Sequence, residues 1–363
     1  MPPHATTPSC CEQSALFVAG EGGYHTYRIP ALAVSANGTI LAFCEGRKYS
    51  RSDSGTIHLL LRRSLDGGAT WGPVQVIAAE EGITCGNPCP VVDKHTGTIW
   101  LPFCKNRADG PESMIKGGKA PRTVWMTRSD DEGASWAEPW EITAAVKRPN
   151  WTWYATGPTH GIQLGRGRLL VPCDHTVGVN FRSDDPMHSH VIYSDDHGVT
   201  WRIGGIVDVG TNECAVVEAE NGAVYINCRN YIPPKRRAYA WSEDGGLTFG
   251  EHRWDESLVE PICQASLVRF TCTSHHGRSR VLFCNPAAEE RIRLTVRMSY
   301  DDCRTWPVAR CLYDGPAAYS DLAIAPDMNI LCLYERGEKQ PYETLALARF
   351  NCAWLSGGKD LLS

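Results

Sequence analysis

The chain has 363 residues and a formal net charge of −5, with 42% hydrophobic and 21% charged residues, the balance of a water-soluble globular protein. The negative charge argues against nucleic acid as a partner, and no apolar run approaches the roughly 20 residues needed to span a bilayer. The length admits two ordinary domains or one large β-architecture.

The N-terminal stretch MPPHATTPSCCEQSALFV has neither a basic n-region nor an apolar h-region, so it is not a recognisable secretion signal. Residues 1–13 are expected to be a disordered tail, followed by a short strand at ALFVA (15–19). Sixteen cysteines are scattered from Cys10 to Cys352 without a CxxC spacing or a zinc-like cluster. That pattern predicts small buried thiols in a reducing, cytoplasmic setting with no disulfides, no metal and no cofactor. Removal of a leader would instead place the protein outside the cell.

Residues 21–55, EGGYHTYRIPALAVSANGTILAFCEGRKYSRSDSG, hold two apolar runs around Asn37-Gly38, a strong hairpin signal. A two-residue loop there pairs Ala36 with Thr39 and places Arg28 opposite Arg47. Opposed like charges destabilise a hairpin, so either Glu21 or Glu45 neutralises the pair or an anion sits between the guanidinium groups. The polar segment after Arg47 carries Asp53 near a glycine. Two arginines beside one carboxylic acid suggest a site that grips an anion and protonates something next to it.

Five segments then repeat the pattern Ser-x-Asp-x-Gly-x-(Thr/Ser)-aromatic: SLDGGATW (64–71), SDDEGASW (129–136), SDDHGVTW (194–201), SEDGGLTF (242–249) and SYDDCRTW (299–306). In such a turn the Asp can accept bonds from backbone N–H groups, the glycine permits positive φ, and the ring anchors the turn. These are structural turns, not chemistry. The stretches between them are β-rich and contain no long amphipathic helix. Four short strands per repeat is the size of a propeller blade, and five marked repeats plus an unmarked last stretch predict a single six-bladed β-propeller over residues 1–363, closed by pairing of the chain ends.

Two further hairpins carry charge at their open ends. In NECAVVEAENGAVYINCRNY, a three-residue loop Glu220-Asn221-Gly222 sets Glu213 opposite Arg229, whereas a two-residue Asn-Gly loop would put them on opposite faces. In AYSDLAIAPDMNILCLYER, a loop at 326–328 sets Tyr319 opposite Glu335. His188-Ser189-His190 reads as strand alternation. The aromatic run NWTWY (150–154) reads as core or as the lining of a sugar pocket.

The motif YRIP at residues 27–30, followed by the repeated boxes, resembles the sialidase (neuraminidase) family from Tyr27 to about Trp354. The resemblance implies a six-bladed propeller that removes terminal sialic acids from sialylated glycans. It implies that Arg28, Arg229 and Arg293 grip the sialic acid carboxylate, with Arg291 and Arg297 as neighbours of the third. It further implies that Arg47 supports sugar binding, Asp53 is the acid/base, Tyr319 the nucleophile, Glu213 its base, and Glu335 the residue orienting Arg28. Transfer to another sugar, or preference for a deaminated sialic acid, would use the same residues. A non-catalytic box-bearing propeller would lack the tyrosine–glutamate pair.

Overall fold

The computed structural model describes residues 9–182 and 186–362. Among them the chain is almost entirely β, with four helices of four or five residues each. The strands divide into six blades of four, the inner strand of blades 2 and 3 being broken into two segments. Blade 1 uses Thr26–Val34, Ile40–Arg47, Ile57–Ser64 and Gln75–Ala78. Blade 2 begins with Ile83–Gly86 and Val91–Val92 and adds Ile99–Arg107, Thr123–Ser129 and Trp140–Glu141. Blade 3 begins with Trp151–Thr156 and Ile162–Gln163 and adds Leu169–Val177, Met187–Ser194 and Arg202–Ile206. Blade 4 is Thr211–Glu218, Val224–Asn230, Arg236–Ser242 and Arg253–Val259.

Blade 5 takes Ser266–Thr271, Arg280–Pro286 and Ile292–Ser299, and its outer strand is the first part of the long strand Val308–Ile324. The second part of that strand turns inward and becomes the inner strand of blade 6, paired with Ile330–Arg336 and then Thr344–Phe350. The fourth strand of blade 6 is Cys11–Val18 from the other end of the chain. The chain ends therefore share one blade, as the ALFVA segment suggested. The expected disorder of residues 1–13 does not hold at Cys11–Gln13, which pair with Phe350–Ala348; residues 1–8 lie outside the described residues. Gln13 is held there because its amide donates to the Leu312 carbonyl at 3.1 Å and accepts from the Tyr334 hydroxyl at 2.6 Å.

The cores lie between neighbouring blades, where Leu, Ile, Val and Phe from facing sheets interdigitate. All sixteen cysteines are thiols, and twelve of them are buried in these layers as small apolar fillers.

The five boxes fold as their composition requires. In the third, Asp196 Oδ1 accepts from the Thr200 N–H (2.8 Å), Oδ2 accepts from the Thr200 hydroxyl (2.6 Å), and the Ser194 hydroxyl accepts from the Gly198 N–H (2.8 Å). The fifth keeps this geometry because Cys303 adopts φ 70° in place of glycine and donates its N–H to Ser299. Ser194 is buried, so Ser194→Ala would leave the Gly198 N–H without a partner. A stability loss of about 1–3 kcal/mol is expected in denaturant titration, with turnover per folded molecule unchanged.

Four of the boxes also rest on the inner hairpin of the preceding blade, and the first rests on the third strand of blade 6. Glu132 accepts from Asn37 of blade 1, His197 meets Asp93 of blade 2, and Asp302 accepts from the Glu220 N–H of blade 4. Arg166 of blade 3 donates to the Asp244 carbonyl, and Arg349 of blade 6 donates to the Gly67 carbonyl. The contact between blade 1 and blade 6 completes the ring, and all five seams lie on the face where inner strands end.

Candidate active site

The inner strands begin at the opposite face, and their first residues surround a polar pocket of about 410 Å³ on the propeller axis. A larger cavity of about 1130 Å³ opens among the hairpin turns at the other mouth, but Arg269 there is already committed to Asp302 and the Glu218 carbonyl. The chemistry-bearing groups converge on the smaller pocket.

The first hairpin delivers two of them by a different register from the one expected. Ser35 N–H bonds the Thr39 carbonyl (2.9 Å) around a three-residue loop with Gly38 at φ 95°, so Val34 pairs with Ile40. A bulge at Ile29, whose φ is 58°, then shifts the pairing again and sets Arg28 opposite Glu45, not Arg47. Arg28 and Arg47 remain on one face because Glu45 and Arg47 are two residues apart on one strand. Both guanidinium groups reach Asp53 Oδ1, at 3.0 and 2.8 Å. Their charges are balanced separately: Glu45 holds Arg47 (2.7 Å), and Glu335 holds Arg28 (3.0 Å).

The other two hairpins keep the expected registers as far as Cys214–Cys228 and Ser320–Tyr334, and the ladders become irregular at Glu213 and Tyr319 themselves. Ala219 pairs with Ala223 around a three-residue loop with Gly222 at φ 85°, and the Arg229 guanidinium meets Glu213 at 2.7 Å. Met328 takes the left-handed position, at φ 64°, in the loop that pairs Ala325 with Asn329. Glu335 consequently lies beside Tyr319 and accepts its backbone N–H (3.1 Å) as well as that of Ile29 (3.1 Å). Buried Glu335 thereby ties Arg28, the bulge and Tyr319 into one unit.

The Tyr319 hydroxyl donates to Glu213 Oε1 at 2.5 Å and accepts from Arg229 at 3.1 Å. Burial, and then the Glu213 charge, raise its pKa well above the ordinary tyrosine value against the pull of three arginines. At neutral pH it is a neutral hydroxyl aimed at a carboxylate. Arg28 lies over its ring at 4.9 Å, and a second arginine lies 5.6 Å from the ring centroid.

That second arginine is Arg291, not Arg293. Arg293 points away to solvent, 3.6 Å from the exposed Asp314. The reason is local: Arg293 has φ 60° and the ladder is irregular there, so regular two-residue alternation along 291–297 breaks. Arg291 turns into the pocket and donates to the Tyr342 hydroxyl at 2.7 Å and the Ile262 carbonyl at 3.3 Å. Arg297 is bonded to Asn285 within the blade.

Asp53 sits on the rim with 69% of its side chain exposed. Partial burial pushes its carboxyl up, but Arg47 and then Arg28 outweigh that and hold it below the usual carboxylate range. Glu45, Glu213 and Glu335 are buried, so Asp53 is the exposed carboxylate of this group.

Sequence reasoning missed part of the wall opposite Tyr319. Arg122 donates to Asn87 (2.6 Å) and lies 4.3 Å over the Trp153 ring, and Trp153 donates to Asp174 (3.1 Å). Among the described residues no cation pairs with the fully buried Asp174, and burial followed by the Glu213 charge raises its pKa well above the ordinary carboxylate value. The NWTWY run divides: Trp153 lines the pocket, while Trp151 and Tyr154 are core. His190 packs against both of those rings and His188 bonds the Val207 carbonyl, as strand alternation implies.

A family model described as BNR repeat-like domain matches residues 38–332. A sialidase of Micromonospora viridifaciens is 34% identical over 98% of this chain and 56% of its own length, so the chain spans about half of that relative. Sialidase-3 of Rattus norvegicus is 31% identical over 94% of this chain and 95% of its own length. Among solved structures, Hadza microbial sialidase Hz136 superposes with a TM-score of 0.84 at 27% identity, over 94% of this chain and 69% of that one.

Proposed function

The chain belongs to the sialidase family of glycoside hydrolases, and from that premise we propose that it is an exo-α-sialidase that cleaves terminal α-linked sialic acids with retention of configuration. The observation that carries this reading is the Tyr319–Glu213 pair at 2.5 Å, set among Arg28, Arg229 and Arg291. A substrate with a carboxylate on its reacting carbon would repel an attacking Asp or Glu. A neutral tyrosine avoids that repulsion, and its attack requires a base within hydrogen-bond reach, which Glu213 supplies.

The three arginines would hold the substrate carboxylate. Tyr319 oxygen bonds the anomeric carbon as Glu213 takes the phenolic proton, and Asp53 gives its proton to the departing glycosidic oxygen. Asp53 then removes a proton from the water that displaces the tyrosine, and Glu213 returns its proton to the departing Tyr319 oxygen, regenerating all three groups. Substrate binding would itself ready Asp53. Its low pKa in the free site depends on Arg47 and Arg28, and a substrate carboxylate on Arg28 would weaken that hold and favour the protonated form.

Arg28→Lys should raise KM sharply and lower kcat/KM although the charge is kept. A planar fork that already bonds Glu335 through Nε and NH2 and Asp53 through NH1 is replaced by a point donor. Unchanged kinetic constants would remove Arg28 from carboxylate recognition. The reading as a whole is tested with fluorogenic glycosides of N-acetyl, N-glycolyl and deaminated sialic acids, with and without lactose. Release of the sugar is expected, transfer to lactose would make it a transglycosylase, and inertness toward all three would overturn it.

A further inference from the structure

We propose that Asp93, His95 and His197 form a binding site for a divalent first-row transition ion of the Zn²⁺ class at the seam between blades 2 and 3. One ligand atom from each residue lies within 4.8 Å of the others. The seam is unlike its counterparts. In blades 2 and 5 the residue before the box glycine position is a carboxylate that accepts from the neighbouring hairpin, and in blades 1 and 4 it is glycine. Only in blade 3 does an imidazole stand there, held at φ 58° and facing a carboxylate.

The donor set suits such an ion. Asp93 Oδ2 lies 2.8 Å from His197 Nδ1, and Asp93 Oδ1 lies 3.7 Å from His95 Nδ1. Bonds of about 2.0–2.2 Å to nitrogen and oxygen place ligand atoms roughly 3.3–3.6 Å apart in a tetrahedron, between the two spacings found. The carboxylate is anchored: its side chain is fully buried, and Oδ1 accepts from the His95 N–H (2.9 Å) and from Gln163 Nε2 (2.8 Å). The same Gln163 nitrogen lies 3.1 Å from His95 Nδ1; an amide nitrogen can only donate, so Nδ1 carries a lone pair, which an ion would take over from that contact. Both imidazoles are more than half exposed, so an ion can enter from solvent and water can complete its shell. Two nitrogens and one oxygen favour zinc, copper or nickel over magnesium or calcium. The ion would join the inner hairpin of blade 2 to the box of blade 3, a staple distant from the pocket chemistry.

Zn²⁺ titration of the untagged protein by calorimetry and thermal melting tests the site. One equivalent should bind and raise Tm, and His95→Ala or His197→Asn should each weaken binding by roughly tenfold or more. Asparagine suits the left-handed backbone at 197, and His95 is exposed, so neither change removes a core contact. With sixteen thiols in the chain, Co²⁺ absorption supplies the second readout. Visible d–d bands without an intense thiolate charge-transfer band are expected. Binding of equal strength in both variants, absence of a Tm shift, or a thiolate band would each overturn the proposal. Turnover of a sialoside by the metal-free variants should equal that of the metal-free parent.

Discussion

Tyr319→Phe is expected to remove nearly all turnover, a loss in kcat on the order of 10⁴-fold or more, while the fold and sugar binding persist. The substitution deletes one oxygen and leaves the buried ring, with Arg28 still over its face. What disappears is the atom that would bond the anomeric carbon and that now donates to Glu213 and accepts from Arg229. Glu213 keeps its ion pair with Arg229, so the pocket does not acquire an unpaired buried carboxylate. Equilibrium binding of a sialic acid analogue separates the two contributions: affinity should be nearly that of the parent while turnover collapses. Parent-like turnover on a natural sialoside would exclude a covalent tyrosyl intermediate.

Asp53→Ala should produce a loss that depends on the leaving group. General acid assistance is typically worth about 10²–10⁴-fold, and it matters most when the departing oxygen is basic. On sialyllactose, whose leaving group is a sugar hydroxyl, most of that factor should be lost from kcat/KM. On an aryl sialoside with a phenol of low pKa, the loss should be much smaller. Because kcat/KM reports only steps through the first irreversible one, it is not obscured by the second role of Asp53 as base in deglycosylation. The exposed position of Asp53 means its removal should barely change stability, and a melt checks that point. Equal losses in kcat/KM on both substrates would show that another group protonates the leaving oxygen.

The two substitutions probe residues of opposite setting. Tyr319 is buried and fixed by Glu335, Glu213 and Arg229, whereas Asp53 is a rim group bound only by two arginines that substrate would engage. A nucleophile needs a fixed line of attack, and an acid that becomes a base must serve two different oxygens in turn.

Features encoded within a few residues were legible in the chain of letters. The box turns close on their own Ser, Asp and Thr side chains, so their geometry is readable from eight letters. The second and third hairpins are likewise local, since a three-residue loop with its last residue left-handed sets the pairing of everything outward until a bulge intervenes. That is why Glu213 beside Arg229 and Tyr319 beside Glu335 could be counted from their turns. Counting failed at the first hairpin twice: the loop has three residues where two were expected, and the bulge at Ile29 is braced by Glu335, a residue 306 positions away. It failed again at Arg293, where a single left-handed residue interrupts alternation and sends Arg291 into the pocket instead. The wall formed by Arg122, Trp153 and Asp174 was illegible for the same reason. These side chains come from different strands and connections and have no shared local pattern; they meet only because six blades close around one axis.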